Sequence, residues 1–318
     1  MSGAYLGIKE IDSILHNYGG LEPGDMLDLM GGACSGKTTA LYAIIISTVL
    51  PKFWRHSQGR APLILEGRSK SVVFMDMDCG FSADRLRTLI STHVIARLTS
   101  QQSQEAKEQT AVDIHSQEFQ AKLDQLATSC LQKVHVFRPP SAATAIVMLR
   151  SMDQYLGQVT PLATPSSGSP FALMILDSVS SFFWQEKLHS NHTRAMSQLV
   201  DALNRLVRRW KLVFVTTSWL IPTTDHSTLD RTTTDTLRAR MKFRFQLQTR
   251  ILDRYPTERE LIEEWMTRRG PASVKQLGGL SSLFQAHMVI PSVEHKEVFR
   301  MSMSDQGGVE FYRPPFLS

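Results

Sequence analysis

The sequence predicts an α/β fold: a mostly parallel central sheet covered by helices on both faces, with a β-rich C-terminal end. Three observations carry that expectation. Short apolar runs of strand length alternate with segments of helical periodicity. A glycine-rich motif, Gly31-Gly32-Ala33-Cys34-Ser35-Gly36-Lys37-Thr38, falls between the first such run and a long apolar helix. A strongly apolar run, Phe171-Ala172-Leu173-Met174-Ile175-Leu176, ends in an acid at Asp177.

Residues 8–16 place Ile8, Ile11, Ile14 and Leu15 at helical spacing, and Gly19-Gly20 ends that helix. Leu21-Glu22-Pro23-Gly24-Asp25 is a turn, followed by a strand at 26–30. After the glycine-rich motif, residues 38–50 form a helix closed by Pro51. Gly59, Pro62 and Gly67 make 52–70 an irregular connection. A buried-type strand at 71–75 ends at Asp76-Met77-Asp78. Residues 82–98 read as a helix, the Gln-rich 99–118 as a solvated helix or loop, 119–131 as a helix and 133–137 as a strand. Ser141 caps a helix running to about residue 155. Beyond the apolar run at 171–176 come an amphipathic helix at 193–210 and a buried strand at 212–217. Short strands finish the chain, with a hairpin around Asp305-Gln306-Gly307-Gly308. There is no internal repeat. The expected organisation is a single domain over 1–318, with residues 1–20 as a lead-in and 157–170 and 221–245 as mobile loops.

A chain of 318 residues with 42% hydrophobic and 20% charged content suits a globular protein. It has no uninterrupted apolar stretch of about 18 residues and no basic region ahead of an apolar one at its start. Neither a membrane span nor a secretory signal is expected. Cys34, Cys79 and Cys130 are odd in number and widely spaced, which argues against a disulfide framework or a zinc site. His189 and His192 lie in a polar loop without nearby cysteines and make no metal site. The net charge of +5 is modest. Its distribution says more: Arg231, Arg238, Arg240, Lys242, Arg244, Arg250 and Arg254 cluster with only Asp235 and Asp253 against them.

The glycine-rich motif carries the chemistry. Gly31 and Gly36 allow backbone angles that a β-carbon would resist. The loop can then wrap its N–H groups around phosphates, and the following helix adds its positive end. Lys37 reaches β- and γ-phosphates, and the Thr38 hydroxyl can ligate Mg²⁺. Asp177 is placed to hold the Mg²⁺ hydration shell; the alternative is a capping or turn acid. The extra strand ending in Asp76 and Asp78 is one place for a carboxylate that orients an attacking water, or these are exposed turn residues. Thr216-Thr217-Ser218 could sense a γ-phosphate at a strand end. Arg205, Arg208, Arg209 and Lys211 form a second basic run, on a helix. Phe182, Phe183 and Trp184 are core residues or a stacking cluster.

These stretches together resemble the RecA-type recombinase core, and within it the eukaryotic recombinase-paralogue branch. The resemblance lies in Leu21-Glu22-Pro23-Gly24-Asp25, the phosphate loop, Val73-Phe74-Met75-Asp76-Met77-Asp78 with Phe81 and Asp84-Arg85-Leu86, Leu173-Met174-Ile175-Leu176-Asp177-Ser178, Phe214-Val215-Thr216-Thr217, and Gly307-Gly308-Val309-Glu310-Phe311. It covers most of residues 5–313.

The resemblance implies a RecA-like P-loop NTPase fold that binds ATP and Mg²⁺. Gly31 to Gly36, Lys37, Thr38 and Thr39 would hold the nucleotide, Arg85 would stack on adenine, and Thr38 with Asp177 (through water) would hold the metal. It further implies a nuclear subunit of a hetero-oligomer of RecA-like paralogues. That subunit would support the strand-exchange recombinase in homologous-recombination repair on single-stranded or branched DNA. Two loops would face DNA, 185–194 and 221–244, the second offering Arg231, Arg238, Arg240, Lys242 and Arg244 to phosphates.

Departures from the family shape the expectation. Asp78 stands where active recombinases carry a catalytic Glu, and a displacement of about 1 Å can cost about 100-fold in rate. Thr217-Ser218 replaces the usual Asn-Gln. Neither an N-terminal helical DNA-binding domain nor a Phe-x-x-Ala motif precedes the core. Slow or absent hydrolysis follows, with Asp78 a weak candidate base. The alternatives are an active DNA-dependent ATPase, a scaffold with a relic nucleotide site, or a P-loop small-molecule kinase, which the acid-ending extra strand disfavours.

Overall fold

A computed structural model describes residues 6–56, 61–105, 113–160, 170–181, 192–219, 240–249, 280–290, 297–304 and 309–312. Six helices occur among these residues: α1 (Lys9–Asn17), α2 (Lys37–Val49), α3 (Ala83–Glu105), α4 (Gln117–Leu131), α5 (Ala142–Val159) and α6 (His192–Trp210). The strands are β1 (Met26–Gly31), β2 (Phe53–Trp54), β3 (Leu63–Ile64), β4 (Ser71–Asp76), β5 (Val134–Phe137), β6 (Phe171–Asp177), β7 (Val213–Trp219), β8 (Phe243–Thr249), β9 (Leu280–Ile290), β10 (Glu297–Ser304) and β11 (Val309–Tyr312).

Nine of the strands form one sheet in the order β11-β10-β9-β8-β1-β7-β6-β4-β5. From β5 through β8 every neighbouring pair is parallel, and from β8 to β11 every pair is antiparallel. The parallel strands are continuous apolar runs because both of their faces are covered. Side chains alternate between those faces. Leu27, Leu29, Phe74, Ile175, Val215 and Phe245 pack in a core shared with α1 to α4. Val73, Met75, Met174, Leu176 and Phe214 pack in a second core with α5 and α6. The Ser141 cap forms as expected, its hydroxyl accepting from the Thr144 N–H at 3.2 Å. Among the described residues no helix is long and apolar enough to cross a membrane.

The helix expected at 82–98 continues to Glu105, into the stretch read as a solvated helix or loop. Three differences from the sequence reading stand out. The connection at 52–70 holds a small antiparallel pair, Phe53 opposite Ile64 and Trp54 opposite Leu63. The C-terminal strands are not all short, since β9 has 11 residues. The loop expected over 221–245 ends earlier, because β8 begins at Phe243 and pairs with β1. The run Phe243-Arg244-Phe245-Gln246-Leu247-Gln248 alternates apolar and polar residues, a strand signature that its arginine obscured. The expected loop at 157–170 and the expected hairpin turn at 305–308 lie mostly or wholly outside the described residues. The strands flanking that turn do pair, Met303 opposite Val309.

One titration belongs to the fold itself. Burial within α3, helped by the Arg97 charge, lowers the His93 pKa from 6.5 to about 4, against an opposing pull from Glu66. Between those two values the unfolded chain binds a proton that the folded chain resists. Stability should therefore fall as pH drops from 6.5 toward 4. The urea midpoint of a His93→Gln variant should lose that part of the decline.

Candidate functional site

Strand β1 delivers the chain to the C-terminal end of the parallel sheet, where the glycine-rich loop turns into α2. The two glycines that bound the loop are needed for different reasons. Gly36 has φ of 85°, a left-handed conformation that side chains resist, and serves as the N-cap of α2. Gly31 is needed for space, since a β-carbon there would collide with Ser35 and lie 2.5 Å from the Leu247 carbonyl oxygen. That corrects the sequence reading, which gave both glycines an angular role. A β-carbon at Gly36 would also meet the Met301 methyl carbon at 2.5 Å and the Phe284 ring at 3.0 Å. The C-terminal strands β9 and β10 thus press against the mouth of the loop. Gly36→Ala should lower stability by at least about 1 kcal/mol from backbone strain alone. A thermal melt and a loop-directed nucleotide probe should register the change together.

Lys37 folds back over the loop. Its ammonium donates to the carbonyl oxygens of Gly31 (2.9 Å) and Gly32 (2.6 Å) and to the Ser35 hydroxyl at 3.4 Å. Desolvation lowers its pKa, while the charges of Asp177 and Asp78 pull it back up. No acid occupies the first turn of α2, which leaves the positive helix end uncancelled.

Asp177, the last residue of β6, is where the acid-ending strand was expected to deliver it. Thr38 Oγ1 donates to its Oδ2 at 3.3 Å, and Thr217 Oγ1 donates to its Oδ1. Burial pushes the Asp177 pKa above its ordinary 3.8, while the Thr217 hydrogen bond opposes that rise. Thr38 and Asp177 supply hard oxygen donors side by side, a set that suits Mg²⁺, which keeps much of its water shell. Among the described residues no group of three acids, histidines or cysteines could hold a metal by itself.

The two acids at the end of β4 separate into different roles. Asp76 is fully buried and accepts from the Gly80 N–H (2.9 Å), the Phe81 N–H (3.2 Å) and Arg138 Nε (2.9 Å). It therefore shapes the turn and is no exposed turn residue. Asp78 is exposed, and its N–H reaches the Asp177 carbonyl at 3.3 Å. The three hydroxyls of β7 separate likewise. Thr217 serves Asp177, Thr216 donates to the Leu176 carbonyl at 2.8 Å, and Ser218 donates to Asp28 at 2.8 Å on the other face of the sheet.

Arg85 comes to the loop helix. Its guanidinium carbon lies 5.1 Å from the Tyr42 ring centroid, and Nη2 donates to Thr39 Oγ1 at 3.2 Å. Sequence reasoning missed Tyr42, which is buried and whose hydroxyl accepts from the Ser82 N–H at 2.8 Å. It ties α2 to the start of α3 and sets the position of Arg85. A tyrosine in the middle of an apolar helix was the available signal. Cys34 is exposed and has φ of 56°.

The basic segment does not behave as one DNA-facing unit. Arg244 is the clear correction: it is 3% exposed, and its Nε donates to the fully buried Asp28 at 2.8 Å. Arg244 lies on the opposite face of β8 from the core residues Phe243, Phe245 and Leu247, enclosed against Asp28, so it cannot reach a phosphate there. Lys242 is drawn to Asp25 at 2.6 Å. Arg240 is exposed and 4.0 Å from Asp201. Arg231 and Arg238, the aromatic run at 182–184 and the loop residues 185–191 lie outside the described residues.

Sheet order, loop and carboxylate together define an α/β protein of the RecA-like class. No family model matches the chain. Similar proteins include DNA repair protein XRCC2 homolog of Arabidopsis thaliana, 23% identical over 221 residues, covering 63% of this chain and 54% of that protein. They also include DNA repair protein XRCC2 of Mus musculus, 27% identical over 204 residues, covering 62% and 57% respectively. The chain is homologous to XRCC2, a RecA-family recombinase paralogue. It spans a little over half the length of these relatives.

Proposed function

We propose that this chain is an ATP-binding recombinase-paralogue subunit that acts in homologous-recombination DNA repair in the nucleus. It supports a strand-exchange recombinase within a complex of RecA-like paralogues, on single-stranded or branched DNA. The observation that carries the nucleotide part is the convergence of the Lys37 ammonium, the Thr38 hydroxyl and the Asp177 carboxylate at the C-terminal end of the parallel strands. The likeness to two DNA repair proteins supports the rest.

In this reading ATP–Mg²⁺ supplies a charged ligand that organises the loop. The loop N–H groups and the α2 terminus hold the phosphates. Lys37 exchanges its carbonyl partners for phosphate oxygens. Thr38 and Asp177, the latter through water, hold the metal, and Arg85 covers the base from the Tyr42 side. Asp78 is the one exposed acid at the end of β4, and its charge already acts on Lys37. That observation keeps slow, DNA-dependent hydrolysis as a second reading. The shorter Asp side chain favours a ligand that stays bound over one rapidly turned over.

The test is affinity capture of the tagged chain from its native cells, followed by subunit identification and nucleotide extraction. RecA-like subunits should co-purify, with ATP near one per chain. A capture that contains neither would reject the reading. Single-turnover hydrolysis with Asp78→Asn separates the ATPase alternative, since it requires a rate that this change abolishes.

A further inference from the structure

The parallel strands have a second end, opposite the phosphate loop, and it holds a recess of about 330 Å³. Arg68, Lys70, Arg209 and Lys211 stand around it; of its two aromatic lining residues Phe171 is buried in the core, and the half-buried Trp210 supplies the accessible ring. The topology explains why cations gather there. Lys70 directly precedes β4, Lys133 directly precedes β5, and Lys211 lies two residues before β7. Since β7, β6, β4 and β5 are successive neighbours, these lysines are spread along one edge of about 14 Å, at about 4.8 Å per strand. The last turn of α6 brings Arg208 and Arg209 to the same end.

Three acids nearby are already engaged, while Glu22, next to the lining residue Pro23, is exposed. Asp153 accepts from Arg209 at 3.0 Å and from the Trp210 indole N–H at 2.7 Å, which fixes both groups at the rim. Asp25 is taken by Lys242, and Asp12 accepts from the Leu6 and Gly7 N–H groups while its charge also acts on Arg68. Lys133 is held beside this edge by Ser69 at 2.8 Å and the Val49 carbonyl at 3.2 Å.

We infer that this recess and its cationic edge form a binding site for single-stranded nucleic acid, separate from the phosphate loop and from the basic segment at 231–244. Cations tracking a backbone beside an aromatic face are the elements of sequence-tolerant strand binding. The recess takes a base and its sugar, and the lysine row takes the phosphates on either side. An acidic peptide would satisfy the cations but leave the aromatic lining uncovered.

The experiment uses labelled (dT)₂₀ and the full chain, with any subunits that co-purify. Lysine-reactivity footprinting on the unaltered protein should show Lys70 and Lys211 protected by the oligonucleotide. The double variant Lys70→Glu, Lys211→Asn should bind at least about tenfold more weakly. Its plot of log affinity against log salt should be shallower by about 1.4, at about 0.7 per phosphate contact. Asparagine is chosen because residue 211 has φ of 52°, a conformation Asn tolerates. Trp210→Leu should weaken binding without changing the salt slope. ATP binding at Lys37 should be unchanged throughout. Unprotected lysines, or unchanged affinity and slope in the double variant, would overturn the assignment. So would a poly-glutamate peptide that protects the same lysines at lower concentration than the oligonucleotide, since the site would then belong to an acidic protein segment.

Discussion

Arg244→Leu is expected to lower the free energy of unfolding by about 3–5 kcal/mol, the range for removing one partner of a buried ion pair. The two residues face each other across the β1–β8 ladder, Asp28 opposite Arg244, near the middle of the sheet. Asp28 is fully buried, and only its Oδ2 has partners, the Arg244 guanidinium and the Ser218 hydroxyl. Burial raises its pKa, and Arg244 is the main force opposing that rise. Without the arginine, Asp28 would take up a proton at higher pH, which limits the loss but leaves a buried carboxyl short of partners. The paired change Asp28→Leu, Arg244→Met should recover most of the stability, because an apolar pair of similar volume suits that core. Arg240→Ala, at an exposed and long contact, should cost no more than about 1 kcal/mol. Urea unfolding measures all three. A loss below about 1 kcal/mol for Arg244→Leu, accompanied by a collapse in DNA affinity, would restore the outward-facing role read from the sequence.

Lys37→Ala should weaken ATP binding by about 100-fold or more while leaving the fold intact. Hydrogen bonds to charged groups contribute about 1.5–3 kcal/mol each, and the ammonium can make two with the β- and γ-phosphates. The effect should sit toward the low end, because Lys37 must first leave the Gly31 and Gly32 carbonyls. Stability should change by less than about 1 kcal/mol, since the side chain is only partly buried and its hydrogen bonds stay between Gly31 and Ser35, beside its own position in the chain. A fluorescent ATP analogue and a thermal melt check the two halves. Equal affinity in the variant would remove the loop from nucleotide binding.

Local patterns made the parallel half of the fold legible. The strands at 26–30, 71–75, 133–137, 171–176 and 212–217 lie within a residue or two of those observed, because strands buried on both faces must be continuous apolar runs. Loop and carboxylate were legible for a related reason: glycine spacing and a terminal acid are local signals. What remained hidden depended on partners distant in sequence. Nothing near Arg244 shows that Asp28, 216 positions away, lies beside it. Asp76 and Asp78 look alike as sequence, yet one is enclosed by Gly80, Phe81 and Arg138 while the other is exposed. Tyr42 lies in a helix read only as apolar, and its hydroxyl contact to Ser82 became visible only once α2 and α3 were side by side.

The contact of Phe284 and Met301 with Gly36 bears on how the protein is made. Synthesis runs from the N-terminus at about 5–20 residues per second. The phosphate loop therefore leaves the ribosome long before the two side chains that back it, a gap of roughly 250 residues and about ten to fifty seconds. During that interval the nascent loop lacks the wall against which it packs in the finished chain. Maturation of the glycine-rich loop is thus tied to the completion of translation, and a stop codon late in the message would damage a motif encoded near its start.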